Sequence, residues 1–385
     1  VKVLHYFSRV RLSVGGTVRA ALDMSVAQAR RGHEVTLATI DDTDASRALE
    51  GVDSPPRVLR LPAPRGLMGR WTSAQFREVR NAVRGLDVAH IHAVWAPTNP
   101  QIAAACRAEG VPYVVTAHGM LDDWAISQKA MKKRLYMALW ARRMLRDASA
   151  VHFTANEEMR QSMRWLPRDN AVSIPLLFDA GEYADLPGEE LARARFGLEG
   201  ERRPILLFLS RLSKGKRADL VIGAARELRA MGVDALTVIA GAGDPDEEAP
   251  LREMVRRDGL EDCVRFVGSV YGREKVSLYQ CARVFALPSD HENFCFALVE
   301  AMAAGAPAIT VRTVAIWEEL VESGGALAVD ADPAAIARAA ADLLRDGALA
   351  RAMGDKARRF AMETMSEARV APRYESMYLA AMEGT

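Results

Sequence analysis

The chain of 385 residues is 50% hydrophobic and 26% charged with a mean hydropathy of -0.05, which supplies two or three globular cores and excludes a disordered or fibrous protein. Its net charge of +1 hides an asymmetry: residues 1–170 carry 25 Lys and Arg against 16 Asp and Glu (+9), residues 171–385 carry 26 against 34 (-8), and nothing in either half marks nucleic acid as a partner. No run approaches about 18 consecutive apolar residues and no basic-then-apolar leader opens the chain, so a cytoplasmic protein is expected.

The apolar run at residues 1–7 predicts a strand, Gly15 and Gly16 a turn, and residues 18–31 a helix. Strands are expected at 35–40 and, within a Pro- and Arg-rich stretch, at 58–61; a helix at 73–84, a strand at 88–94, a helix at 99–109 and a strand at 112–117 follow. From Lys129 to Arg146 the chain holds seven basic residues (Lys129, Lys132, Lys133, Arg134, Arg142, Arg143, Arg146) and no acid, interleaved with Leu135, Tyr136, Met137, Leu139, Trp140, Met144 and Leu145. That is a basic amphipathic helix, which reads equally as a solvated face over a core stripe or as a surface drawn to an anionic membrane or acceptor. A strand at 150–153 completes the first half.

After a polar stretch at 183–203 the alternation restarts. Strands are expected at 205–209, 235–240, 264–267, 284–287, 308–311 and 326–329, with helices at 218–231, 249–258, 273–281 and 296–304 and a last helix at 367–382. Strands alternating with helices predict two consecutive doubly wound α/β domains with parallel sheets. Residues 1–185 form the first, 186–366 the second, and 367–385 a closing helix able to pack on either. Ligands of such sheets sit at the carboxyl ends of the strands, so two domains would face each other across a central cleft.

Four places then carry chemistry. The strand at 284–287 runs into Pro288-Ser289-Asp290-His291-Glu292-Asn293-Phe294-Cys295, and Glu300 follows about a turn into the next helix. Two carboxylates thus flank a helix start whose free N–H groups attract anions, while the carboxylates themselves accept from sugar hydroxyls. Arg211 and Lys216 leave the strand at 205–209 in a short turn, a fork and a point charge suited to a diphosphate. Gly15 and Gly16 let a backbone approach a ligand closely, and His118-Gly119 ends the strand at 112–117. The cysteines Cys106, Cys263, Cys281 and Cys295 form no C-x-x-C pair and read as small buried thiols. There is no P-loop, no H-E-x-x-H and no G-x-S-x-G elbow, and Gly241-Ala242-Gly243-Asp244 lacks the third glycine of a dinucleotide fingerprint.

As an ordered set, these residues resemble the retaining glycosyltransferases of family 4, with the GT-B fold. The set is the glycine turn after the first strand, His118-Gly119, Ser210-Arg211-Leu212 with Lys216, the Gly241 and Gly268 loops, and Glu292 to Glu300 with Ala304-Gly305-Ala306-Pro307. The segment from His118 through Asp122, Asp123 and Trp124 to Ala125, and the later Trp317-Glu318-Glu319-Leu320, further resemble the branch that builds bacterial surface polysaccharides. The resemblance implies a nucleotide-diphosphate-sugar donor on the second domain and a glycan or lipid-linked acceptor on the first, transfer with retention, and no metal or other cofactor. By the same resemblance Arg211 and Lys216 hold the diphosphate, Glu300 the ribose, Glu292 with the N–H groups of Asn293 and Phe294 the donor sugar, and the backbone at Val270 the base. Gly15, Gly16 and Gly243 leave room for the donor, and His118 lies beside its sugar.

Two departures stand out. Lys216-Arg217 replaces the usual Lys-Gly, and Glu292-Asn293-Phe294-Cys295 replaces Glu-Gly-Phe-Gly, which adds bulk near the donor sugar. Asp244-Pro245-Asp246 is expected as a solvated acidic loop and not a metal site. The competing expectations are a GT-B epimerase or phosphorylase and a two-domain sugar- or nucleotide-binding protein without catalysis.

Overall fold

The computed structural model describes residues 1–384 and divides the chain into two compact units, Val1–Leu177 with Glu367–Thr385, and Phe178–Ser366. In the first unit β1 (Lys2–Tyr6), β2 (Glu34–Thr39), β3 (Arg57–Arg60), β4 (Val88–His92), β5 (Tyr113–Thr116), β6 (Ala150–Phe153) and β7 (Ala171–Ser173) form one sheet in the order β3-β2-β1-β4-β5-β6-β7. In the second unit β8 (Ile205–Leu209), β9 (Leu236–Ala240), β10 (Val264–Gly268), β11 (Ala282–Ala286), β12 (Ala308–Val311) and β13 (Ala326–Val329) run β10-β9-β8-β11-β12-β13. Every adjacent pair in both sheets is parallel. Strands covered on both faces need apolar residues at nearly every position, which is why Ile205-Leu206-Leu207-Phe208 is buried throughout.

Strand order reverses between β1 and β4 in one sheet and between β8 and β11 in the other. The loops leaving these strands flank the crevice that a doubly wound sheet opens at its carboxyl edge.

Several elements go beyond those the sequence predicts. The short strand β7 and the helix Glu190–Arg195 lie where neither strand nor helix is expected, and the helices Pro333–Arg345 and Gly347–Arg359 fill the interval before residue 367. Asp332 accepts from the N–H of Ala335 with Pro333 at the first helical position, so that helix carried its start signal. The acidic segment at Asp244 is a correction of the same kind. Asp244 is the N-cap of the helix Pro245–Arg257, and Asp246, Glu247 and Glu248 occupy its first turn, where carboxylates favour the helix dipole.

The basic stretch is helical over Ala130–Tyr136 and Arg142–Asp147, joined by a π-turn at Met137–Ala141. Met137, Ala141, Met144 and Leu145 face the core, whereas Met131, Leu135 and Leu139 are exposed. The closing helix Glu367–Glu383 buries Val370, Ala371, Tyr374, Met377, Tyr378 and Ala381 within the first unit, and Glu375 there accepts from both Arg31 and His33.

Candidate active site

In the second unit, β8 and β11 are neighbours at the strand-order reversal, and their exit loops bring Lys216 and Glu292 into an ion pair. Lys216 ends the turn Lys214–Lys216; Glu292 is anchored through its carbonyl, which accepts from the N–H of Ala315 at 2.9 Å. Burial lowers the pKa of Lys216, an effect that the neighbouring Cys295 opposes and the charge on Arg211 reinforces. Arg211 is exposed and makes no hydrogen bond or ion pair among the described residues. One cation is therefore spoken for by a carboxylate and the other is open to an anion.

Of the three residues that depart from the family pattern, two, Arg217 and Cys295, fall where the backbone has positive φ. Arg217 (φ 55°) and Cys295 (φ 56°) occupy left-handed positions that glycine fills without strain. The guanidinium of Arg217 is held by Asp219 at 3.0 Å and Asp290 at 2.8 Å. Asp290 in turn donates its N–H to the carbonyl of Gly215 at 2.9 Å, which ties the β11 loop to the β8 turn. Cys295 precedes the helix Phe296–Ala303 and its thiol is buried, which pushes its pKa up to about 11 and keeps it protonated.

Glu300 lies on that helix. Its two oxygens accept from Lys275 Nζ at 2.9 Å and Tyr279 Oη at 3.1 Å, and a carboxylate so held keeps lone pairs for two further donors. Lys275 and Tyr279 escaped sequence reasoning, although their spacing puts them on one face of the helix Gly272–Cys281. Phe294 is buried against Phe296, and Val270 is buried just past β10. Gly241 and Gly243 are required by packing: a Cβ at Gly241 would lie 1.8 Å from the carbonyl oxygen of Ser210, and one at Gly243 2.3 Å from that of Leu212. Their absent side chains let the β9 loop support the turn that carries Arg211.

In the first unit, Gly15 (φ 96°) needs glycine for its backbone, and the space beyond both Gly15 and Gly16 is open for at least 4 Å. His118, two residues past β5, is buried with φ 51°. The Gly119 N–H donates to Glu158 Oε1 at 2.6 Å, while the Thr154 N–H and hydroxyl donate to Oε2 at 2.7 and 3.0 Å. Burial raises Glu158 to a pKa of about 7. Nothing in the chain pattern had singled out this carboxylate.

The family described as Glycosyl transferases group 1 matches residues 192–360, and the Glycosyl transferase 4-like domain matches residues 15–176. The chain belongs to the group 1 glycosyltransferases. It is 26% identical over 377 residues to a D-inositol 3-phosphate glycosyltransferase of Kineococcus radiotolerans, covering 90% of this chain and 86% of that protein. It is 34% identical over 239 residues to a GDP-mannose-dependent alpha-(1-6)-phosphatidylinositol dimannoside mannosyltransferase of Mycobacterium tuberculosis, covering 60% and 59%. Among solved structures, Anabaena Alr3699/HepE in complex with UDP superposes with a TM-score of 0.80 at 17% identity over 99% of this chain and 100% of that one. The fold is thus GT-B, and this group 1 chain is a glycosyltransferase. No helix among the described residues is long and apolar enough to cross a membrane.

Proposed function

We propose that this glycosyltransferase takes a UDP- or GDP-sugar and passes the sugar, with retention of anomeric configuration and without a metal, to a glycan or lipid-linked acceptor of cell-surface polysaccharide synthesis. The observation that carries the reading is the pairing at the β8/β11 reversal: an open Arg211, and Lys216 shared with Glu292. Negative charge grows on a departing nucleoside diphosphate as the sugar becomes oxocarbenium-like. Fixed cations and the N–H groups at the start of the helix Phe296–Ala303 lower that barrier. Arg211 and Lys216 bind the diphosphate, Glu300 accepts from ribose hydroxyls, Glu292 with the N–H groups of Asn293 and Phe294 holds the donor sugar, and the backbone at Val270 and Gly243 borders the nucleotide. Residues 1–185, which carry Gly15, Gly16 and His118, take the acceptor, while residues 186–366 take the nucleotide.

The relatives support this choice of donor. The mycobacterial one is named for GDP-mannose and the Anabaena structure holds UDP. An anionic inner membrane face supplies the acceptor, and the exposed Met131, Leu135 and Leu139 among Lys132, Arg134, Arg142 and Arg143 form the surface that meets it. The test is release of free nucleotide from a panel of UDP- and GDP-sugars in the presence of a chelator. Turnover with one donor that falls at least about 100-fold in the Arg211→Ala, Lys216→Ala double variant is expected. Undiminished turnover in that variant contradicts the assignment.

A further inference from the structure

Five of the seven histidines meet in the core of the first unit. His5 on β1 is in register with His90 on β4, His92 with Thr116 on β5, and Thr116 with His152 on β6. Gln28 from the helix Gly16–Arg30 and Tyr378 from the closing helix cover them, and all seven of these side chains are buried. His5, His90 and His92 are close enough together to hold a metal ion, but each of their six ring nitrogens already has a protein partner, so a metal would have to strip every one.

The bonds form one continuous chain. From its far end, His152 Nε2 meets the Ile174 carbonyl at 2.7 Å, His152 Nδ1 meets Thr116 Oγ1 at 2.8 Å, and Thr116 Oγ1 meets His90 Nε2 at 2.5 Å. His90 Nδ1 meets Tyr378 Oη at 2.7 Å, which accepts from Gln28 Nε2 at 2.9 Å. Gln28 Oε1 meets His5 Nε2 at 2.8 Å, His5 Nδ1 meets His92 Nε2 at 2.9 Å, and His92 Nδ1 meets His118 Nε2 at 3.1 Å.

A carbonyl only accepts, and a neutral imidazole has one N–H. His152 must therefore donate from Nε2 to Ile174 and accept at Nδ1 from Thr116, whose hydroxyl then accepts from His90 Nε2–H. His90 accepts at Nδ1 from Tyr378, Tyr378 accepts from the Gln28 amide N–H, and Gln28 Oε1 accepts from His5 Nε2–H. His5 accepts from His92 Nε2–H, and His92 accepts from His118 Nε2–H. Every donor has an acceptor with no charge anywhere in the core. The reverse arrangement, with the Gln28 amide turned over, leaves His152 Nε2 bare against the Ile174 carbonyl, two acceptors 2.7 Å apart. Tyr374 does not repair this, because its hydroxyl already donates to the Pro175 carbonyl at 3.0 Å and lies 3.3 Å from that nitrogen. Burial keeps the rings neutral, with His5 and His152 lowered to about 4 and His118 to about 3.

We propose that the Ile174 carbonyl, acting through this chain of hydrogen bonds, fixes His118 as the Nε2–H tautomer and leaves its Nδ1 as a bare acceptor for a hydroxyl of the bound sugar. Nδ1 of His118 has no partner among the described residues and is not one of the buried polar atoms sealed from solvent. A ring so poised accepts a hydrogen bond and does not protonate the leaving group. His92, His5, Gln28 and Tyr378 are positioning residues that act through it. The sugar in this statement rests on the proposed function; the tautomer does not.

The test is a long-range proton–nitrogen correlation spectrum of the full chain labelled with 15N-histidine at pH 7, without substrate, each ring assigned by its own His→Gln variant. All five rings should show protonated Nε2 and unprotonated Nδ1. A protonated Nδ1 on His118, or a doubly protonated ring among the five, overturns the proposal. Tyr378→Phe cuts the chain between Gln28 and His90, so His118 should become a mixture of both tautomers. An unchanged His118 spectrum in that variant overturns the role of Ile174. Because no substrate is present, failure of the tautomer assignment and failure of the nucleotide-sugar reading are read separately. Should Tyr378→Phe not fold, Gln28→Met is the second cut, and the wild-type spectrum stands without either.

Discussion

Lys216 and Glu292 close an ion pair across the two loops that leave β8 and β11. The pair is four-fifths buried on both sides, with side-chain exposures of 18% and 20%. On the proposed reading Glu292 competes with the diphosphate for this cation, and a bound donor shares it.

Glu292→Gln should therefore separate binding from turnover. Removing the competing anion tightens UDP or GDP by several-fold, because a like charge beside the phosphate site is gone. The same change removes a contact to the donor sugar and lowers turnover by about 100-fold. Calorimetry with the nucleoside diphosphate alone, beside initial rates with the sugar nucleotide, checks both directions; weaker diphosphate binding contradicts the arrangement.

Arg217 tests how the chain tolerates a side chain at a left-handed backbone position. The left-handed backbone costs about 1 kcal/mol in any residue but glycine, and two partly exposed ion pairs to Asp219 and Asp290 offset it. Arg217→Gly loses the pairs and the strain together and should stay within about 0.5 kcal/mol of wild type. Arg217→Ala keeps the strain and should be about 1 kcal/mol less stable than Arg217→Gly. Denaturant unfolding of the two variants compares them; equal stability contradicts the account.

The alternation of strands and helices was legible because buried parallel strands are nearly continuous apolar runs, and Ile205–Leu209, Ala308–Val311 and Ala326–Val329 match their expected bounds. Glu292, Arg211 and Lys216 stand out as candidates because each lies in the loop after a strand, and Glu300 because it lies about a turn into the helix that follows. Lys275 and Tyr279 do not, since their meaning depends on a partner 25 and 21 residues away that only the fold supplies. The histidine chain was hidden for the same reason. His90 and His92 share a strand face by spacing alone, but Tyr378 bonds His90 from 288 residues away and Gln28 from 350 residues away, and Gln28 passes the chain on to His5.

The same core predicts steep acid sensitivity. Burial holds His5 and His152 near 4 and His118 near 3 in the native state, with His90 and His92 also well below their usual value. The unfolded chain takes up protons on these rings below about pH 6.5 and the native chain does not, so stability falls as pH drops from 6.5 towards 4. Glu158, raised to about 7, has the opposite sign, losing its contribution as pH rises from about 4.5 to 7, and it offsets one proton. Five rings outweigh one carboxylate, so the net effect is a loss of stability as pH falls. Denaturant midpoints at pH 7, 6 and 5 measure this slope; a flat profile contradicts neutral buried rings.

The basic helix yields a membrane prediction. Serine at Met131, Leu135 and Leu139 removes exposed apolar area without touching the buried Met137, Met144 and Leu145, so the fold should be unaffected. Co-sedimentation with vesicles containing phosphatidylserine should fall at least several-fold, and adding salt to wild type should weaken binding too. Vesicle binding unchanged by the triple variant assigns this face to something other than a membrane.

The most direct measurement is thermal unfolding of wild type and Arg211→Ala with UDP, GDP, ADP and TDP in chelator. A ligand that binds only the native state at 100 times its Kd adds about 2.7 kcal/mol. Because Arg211 is exposed and unpaired, its removal should leave the ligand-free protein as stable as before. The account predicts an upward shift with one base in wild type and its loss in Arg211→Ala. No shift with any of the four diphosphates in folded wild-type protein, or an equal shift in the variant, contradicts it.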